Sequence, residues 1–70
     1  MDSLHVLDAV VLLADLPTEK LRKGSLGTIV EHLTADSYLV EFADTRGVPY
    51  AMPVLTAAHL MKVYQEPVIA

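Results

Sequence analysis

Short apolar segments separated by turn-forming residues make up most of the chain. A continuous apolar run, AVVLLA, covers residues 9–14 and is ended by a DLPT sequence. Periodicity alone does not separate helix from strand in so short a run, but the β-branched residues Val10 and Val11 and the proline stop favour a strand. A polar loop over residues 17–25 follows. Residues 26–33 are again rich in β-formers, which predicts a second strand.

The clearest alternation in the chain covers residues 38–43. Tyr38, Val40 and Phe42 fall on one face of this predicted strand, and the residues between them fall on the other. A TADS sequence just before it is typical of a turn. The second and third strands therefore form a predicted hairpin.

A DTRG sequence follows the third strand and predicts a type I turn that ends in a glycine with positive φ, Gly47. Such a hairpin loop would place Phe42 opposite Tyr50 and Val40 opposite Met52. The apolar faces of the two strands would then coincide, so we expect Val40, Phe42 and Tyr50 to be buried together.

Two prolines, Pro49 and Pro53, lack the amide hydrogen of a sheet ladder, so the strand after this hairpin is expected at an edge or interrupted. The LTAAH sequence at residues 55–59 predicts one helical turn with Thr56 as its N-cap. A last short strand is expected over residues 60–64.

About five short strands, a long first loop and one short helical turn before the last strand predict an all-β fold, a small SH3-like barrel. Residues 1–70 would form a single domain, which buries only ~60% of the surface of its unfolded chain. The chain has no cysteine, which excludes disulfides and thiolate zinc sites and fits a reducing cytoplasm.

Charge and hydropathy narrow the choice of partners. Hydrophobic residues make up 53% of the chain, yet no run approaches the ~20 apolar residues of a membrane helix. The first ten residues hold two acids and no Lys or Arg, unlike a signal or transit peptide. These two features predict a cytoplasmic protein without a membrane partner. The net charge of −4 argues against a nucleic-acid partner. We expect the basic cluster of Lys20, Arg22 and Lys23 to lie on a loop exposed to solvent. The alternative interpretation is that this loop makes weak contacts with phosphates.

Nothing in the sequence predicts catalysis, a metal or a cofactor. The three histidines His5, His32 and His59 are far apart in the chain and have no metal-motif spacing. The neighbours Glu31 and His32 would point to opposite faces of a strand, so they are not an acid–base pair. We therefore expect a protein that is not an enzyme.

The apolar run at residues 9–14 holds more apolar side chains than one barrel interior accepts. Either Val10 and Leu12 face inward and Val11 and Leu13 face outward, or the arrangement is the reverse; we favour the first. Either the N-terminal arm or the Val68-Ile69 tail covers the outward pair, or the pair belongs to a partner surface. That predicted protein-binding surface consists of Val11, Leu13, Leu16 and Leu21.

The KGSLGTIVE sequence at residues 23–31, followed by YLVEF at residues 38–42, resembles a family of short bacterial proteins known as domain of unknown function 4926. The resemblance extends to DAVVLL at residues 8–13, to the two leucines that bound residues 55–60, and to EPV at residues 66–68. The KGSLGTIVE segment and the strand after it are also similar, more weakly, to KOW modules. Both resemblances imply a KOW/Tudor-like barrel, and neither implies a catalytic residue.

The expected function is that of a non-catalytic protein–protein interaction module, whose partner is another protein or a second copy of the chain. The resemblance adds an antitoxin- or immunity-like role as one form of it. Two alternatives are a KOW-like RNA- or DNA-binding module and a small accessory subunit of an enzyme complex. The acidic net charge favours a protein partner over a nucleic acid.

Overall fold

Six strands and two short 3-10 turns are present in a computed structural model that describes residues 3–68. The strands are β1 (Ala9–Leu12), β2 (Leu26–Thr34), β3 (Ser37–Ala43), β4 (Pro49–Ala51), β5 (Val54–Thr56) and β6 (Leu60–Lys62). The 3-10 turns are Pro17–Glu19 in the first loop and Ala57–His59 between β5 and β6. The predicted all-β fold, with a short helical turn before the last strand, is confirmed.

All strand pairs are antiparallel, and the strands lie in the order β4-β3-β2-β1-β6. Strand β5 pairs with the same edge of β3 as β4 does, but at the beginning of β3 rather than at its end. The sheet is not closed into a hydrogen-bonded barrel, because β6 lies at its end. There are six strands rather than about five, since Pro53 separates β4 from β5. The carbonyl of Pro53 still accepts a hydrogen bond from the Val40 amide at 3.1 Å. The expected interruption at the prolines is therefore present.

Alternate residues of β1 and β3 build the core. Val10 and Leu12 are fully buried, as are Ile29 on β2 and Val40 and Phe42 on β3. The remaining buried apolar residues are Leu4, Leu21, Tyr38, Leu55 and Leu60. Since Val10 and Leu12 face inward, the predicted outward direction of Val11 and Leu13 follows.

The predicted turn after β3 is confirmed. Gly47 has φ +83°, and its amide donates to the Asp44 carbonyl at 2.9 Å. The Asp44 carboxylate accepts hydrogen bonds from the amides of Arg46 and Val48, at 2.8 and 3.0 Å. The Asp44 amide in turn donates to the Val48 carbonyl at 2.9 Å, so these two residues pair as expected.

Beyond this turn, the predicted register is wrong. Ala43 pairs with Pro49 and Phe42 pairs with Ala51, so Tyr50 is an extra residue on β4. One inserted residue reverses the faces of those that follow it, because side chains alternate with a period of two. Tyr50 is therefore 52% exposed and Met52 47% exposed, and neither is buried with Val40 and Phe42.

The turn before β6 begins after Thr56, as predicted, but Thr56 does not cap it with its side chain. The Thr56 hydroxyl lies 3.1 Å from Nδ1 of His59 instead. The turn closes when the Leu60 amide donates to the Ala57 carbonyl. Strand β6 then ends at Lys62, two residues earlier than expected.

Candidate functional site

The outward side of β1 is an uncharged apolar surface that extends over three strands. Val11 pairs with Leu26 on β2 and with Met61 on β6, so these three side chains form a row across the sheet. Leu13, just beyond the end of β1 and two residues after Val11, lies on the same side. The exposed fractions are 57% for Leu26, 54% for Met61 and 40% for Leu13. We call Val11, Leu13, Leu26 and Met61 the outer apolar face.

Neither end of the chain covers this face within residues 3–68. Leu4 of the N-terminal arm enters the core, and the Leu7 amide donates to the Ile29 carbonyl at 2.7 Å. Val68 is 95% exposed and borders a second surface depression together with Leu7 and Ala9. Ile69 lies outside the described residues. For the described residues, the outer apolar face is therefore open.

The two other residues of the predicted binding surface lie elsewhere. Leu16 and Leu21 form an isolated bridge, with hydrogen bonds of 2.9 and 3.1 Å between their main chains. This bridge turns Leu21 into the core, where it is only 4% exposed, and Leu16 is partly buried against the core. Leu21 therefore does not contribute to an exposed surface. The sequence-based prediction did not include Leu26 and Met61, which belong to the outer apolar face.

The basic cluster lies on a loop that is held by its own contacts. Lys20 ends the Pro17–Glu19 turn in the left-handed conformation, with φ 58°. The Lys23 amide donates to the Asp15 carboxylate at 2.8 Å, and the Ser25 hydroxyl donates to the Arg22 carbonyl at 2.7 Å. All three basic residues, Lys20, Arg22 and Lys23, are exposed to solvent.

Asp8 is the centre of a small polar cluster at one end of β1. Its carboxylate accepts a hydrogen bond from the His5 amide at 2.8 Å and lies 3.4 Å from the Lys62 ammonium. Burial acts to raise the pKa of Asp8, but the hydrogen bond from His5 and the hydrogen bond and charge of Lys62 outweigh it and lower that pKa. Asp8 therefore favours folding when ionised, and this contribution is lost as the pH falls through the lowered pKa.

A groove of about 930 Å³ lies between β6 and the hairpin of β2 and β3. Leu4 and His5 of the N-terminal arm form part of its wall, and Leu60 and Lys62 form the side along β6. His32 stands opposite them and stacks on Tyr38, with ring centroids 4.6 Å apart and planes at 16°.

Within residues 3–68, no group of three or more His, Asp or Glu side chains is placed to hold a metal ion. Over the same residues, no helix has the length and apolar character needed to span a bilayer.

Comparison with known proteins gives one result. The family described as "Domain of unknown function (DUF4926)" matches residues 6–62, which include all six strands. Neither the curated proteins nor the solved structures contain a match to the chain.

Proposed function

Because the chain belongs to the DUF4926 family, whose function is unknown, we propose its function from its geometry: it is a non-catalytic protein–protein interaction module. The outer apolar face carries this proposal. Leu13, Leu26 and Met61 are exposed, Val11 in the same patch is half-buried, and none of the four is charged. Contiguous apolar surface of this kind is typical of protein interfaces. The cysteine-free sequence supports a cytoplasmic location.

Charging the outer apolar face is expected to abolish association while leaving the domain folded. In the double variant Val11→Glu, Leu13→Glu, two outward side chains carry negative charge, whereas Val10 and Leu12 keep the core intact. Burying a Val or Leu is worth ~1.5–3 kcal/mol, so loss of both contacts should weaken binding by at least ~100-fold. Sedimentation of the purified chain measures self-association, and affinity capture with the tagged chain measures binding to a foreign protein.

A matched control is the double variant Val48→Glu, Val54→Glu. These valines are 56% and 58% exposed, but Val48 lies beside β4 and Val54 lies on β5, away from the outer apolar face. It should retain whichever assembly the wild type forms. A wild-type monomer at ~100 µM would leave only the foreign partner. An assembly that both double variants retain equally would contradict the proposed interface.

Nucleic acid is not the proposed partner, and salt provides the test. Lys20, Arg22 and Lys23 offer few phosphate contacts, so any binding of RNA or DNA through them should disappear by ~150 mM salt. Fluorescence anisotropy with labelled RNA and duplex DNA measures this. A triple variant with glutamine at these three positions is the control. Tight binding that persists above that salt concentration and is lost in the triple variant would make the KOW-like function the better proposal.

A further inference from the structure

The outward edge of β6 presents main-chain groups that no strand within residues 3–68 uses. The Leu13 amide donates to the His59 carbonyl at 2.8 Å, and the Val63 amide donates to the Ala9 carbonyl at 2.9 Å. In an antiparallel pair, alternate residues direct their main-chain groups toward the partner strand. Leu60 and Lys62, which alternate with these residues, therefore direct theirs away from β1.

Of those outward groups, the Leu60 amide is already used, because it donates to the Ala57 carbonyl. The Leu60 carbonyl, the Lys62 amide and the Lys62 carbonyl have no main-chain partner among residues 3–68. One extended segment aligned with β6 can engage all three.

The groove beside β6 has the position of an added strand. Three consecutive residues of β6, Leu60 to Lys62, line it. Since consecutive residues point to opposite faces of a strand, the groove follows the edge of β6 rather than either face. The opposite side is formed by His32 and Tyr38, and Leu4 and Leu13 add apolar surface for the side chains of an incoming segment.

The charge of this groove differs from that of the rest of the chain. The chain has nine acids and five Lys or Arg residues, yet no acid among residues 3–68 lines the groove. Its ionisable side chains are Lys62, His5, His32 and the tyrosines Tyr38 and Tyr64. The neighbouring Asp8 carboxylate neutralises part of the Lys62 charge from outside the lining. The groove thus favours an acidic segment over a basic one.

A second copy fits this edge poorly. Symmetric antiparallel pairing of two β6 strands about Met61 would place Leu60 opposite Lys62 of the other copy. With the Leu60 amide already used, each pair would make one hydrogen bond instead of two. Both copies would also carry a net charge of −4.

We propose that β6 and its groove bind an acidic, extended peptide segment of another protein by strand addition. Main-chain hydrogen bonds to Leu60 and Lys62 hold the segment, and the groove accepts its alternate apolar side chains. This edge is a second contact region beside the outer apolar face, with which it shares Leu13 and Met61 but not Val11 or Leu26.

The probe for this proposal is an N-acetylated, C-amidated peptide of alternating valine and glutamate, VEVEVE, and its control is VKVKVK. Titration into the ¹⁵N-labelled chain at 50 mM salt should shift the amide resonances of β6 and of His32. At saturation, exchange of the Lys62 amide with solvent should slow by at least ~10-fold, because that amide gains an acceptor. The VKVKVK peptide should bind at least ~5-fold more weakly.

Two variants separate the main chain of residue 62 from its side chain. Lys62→Ala keeps the amide and should bind VEVEVE within ~5-fold of the wild type. Lys62→Pro lacks the amide and should bind at least ~10-fold more weakly than Lys62→Ala. The exchange of the wild-type Lys62 amide tests the same hydrogen bond if the proline variant does not fold.

Absence of VEVEVE binding at 1 mM would overturn the proposal. So would binding without slower exchange at Lys62, or equal affinity for VKVKVK. Slow exchange of the Lys62 amide that depends on the concentration of the chain alone would assign the edge to a second copy. Leu13 lines both surfaces, but these readouts are taken with Val11 and Leu13 unchanged and follow the main chain of residue 62, so failure here leaves the outer apolar face to its own test.

Discussion

Replacing Phe42 with alanine is expected to remove a large part of the protein's free energy of unfolding. Phe42 is fully buried and is the largest of the side chains buried to that degree. Truncating a buried phenylalanine costs about 3–5 kcal/mol, from lost transfer free energy and the remaining cavity. A domain of 70 residues has a total stability of about 4–10 kcal/mol. One substitution therefore removes a large part of it.

Urea unfolding followed by far-UV circular dichroism measures this loss, and Tyr50→Ala is the matched control. Tyr50 is also aromatic and lies on the strand next to Phe42, but it is 52% exposed. Its truncation should change the free energy of unfolding by no more than about 1 kcal/mol. Equal losses in the two variants, or a Phe42→Ala midpoint near that of the wild type, would contradict the assignment of faces.

Features of the fold that depend on local sequence could be predicted. The alternation of Tyr38, Val40 and Phe42 fixes the inward side of β3 without reference to any other strand, because side chains alternate with a period of two. The glycine at position 47 is similar, since a DTRG turn requires positive φ at its end whatever strands it joins. The inward direction of Val10 and Leu12 has no such local signal, because residues 9–14 are all apolar; it is set by how β1 packs in the sheet.

Features that depend on how strands align could not be predicted from single segments. The extra residue at Tyr50 is fixed by the pairing of Ala43 with Pro49, and nothing in the local sequence marks it. Leu26 and Met61 join the outer apolar face only because the ladders of β1 place both beside Val11. Leu21 moves into the core through its bridge with Leu16. Two of the predicted surface residues, Val11 and Leu13, thus lie on the outward side, Leu13 exposed and Val11 half-buried, and the rest of the face comes from register.

Gly27 shows how one residue type can serve two different physical purposes. The sequence suggests that Gly24 and Gly27 both supply unusual backbone conformations. Gly24 does, with φ +93°, and has open space where a Cβ would lie. Gly27 has no such φ. A Cβ at this position would lie 2.8 Å from Cγ1 of Val40 and 2.9 Å from Cε1 of Phe42. Gly27 is therefore required by the close approach of two core side chains.

Gly27→Ala is accordingly expected to destabilise the protein by about 1–3 kcal/mol through overpacking. Neither neighbour has room to move, because Val40 and Phe42 are both fully buried. Urea unfolding measures the change, and a double-mutant cycle with Val40→Ala identifies its cause. Val40→Ala removes the Cγ1 atom that the new methyl group would meet, so Gly27→Ala should cost at least about 1 kcal/mol less in that background. At Gly24, alanine meets no atom and the cost comes from backbone strain, so Val40→Ala should leave the effect of Gly24→Ala unchanged. Additive losses for Gly27→Ala and Val40→Ala would show that the glycine is not there for packing.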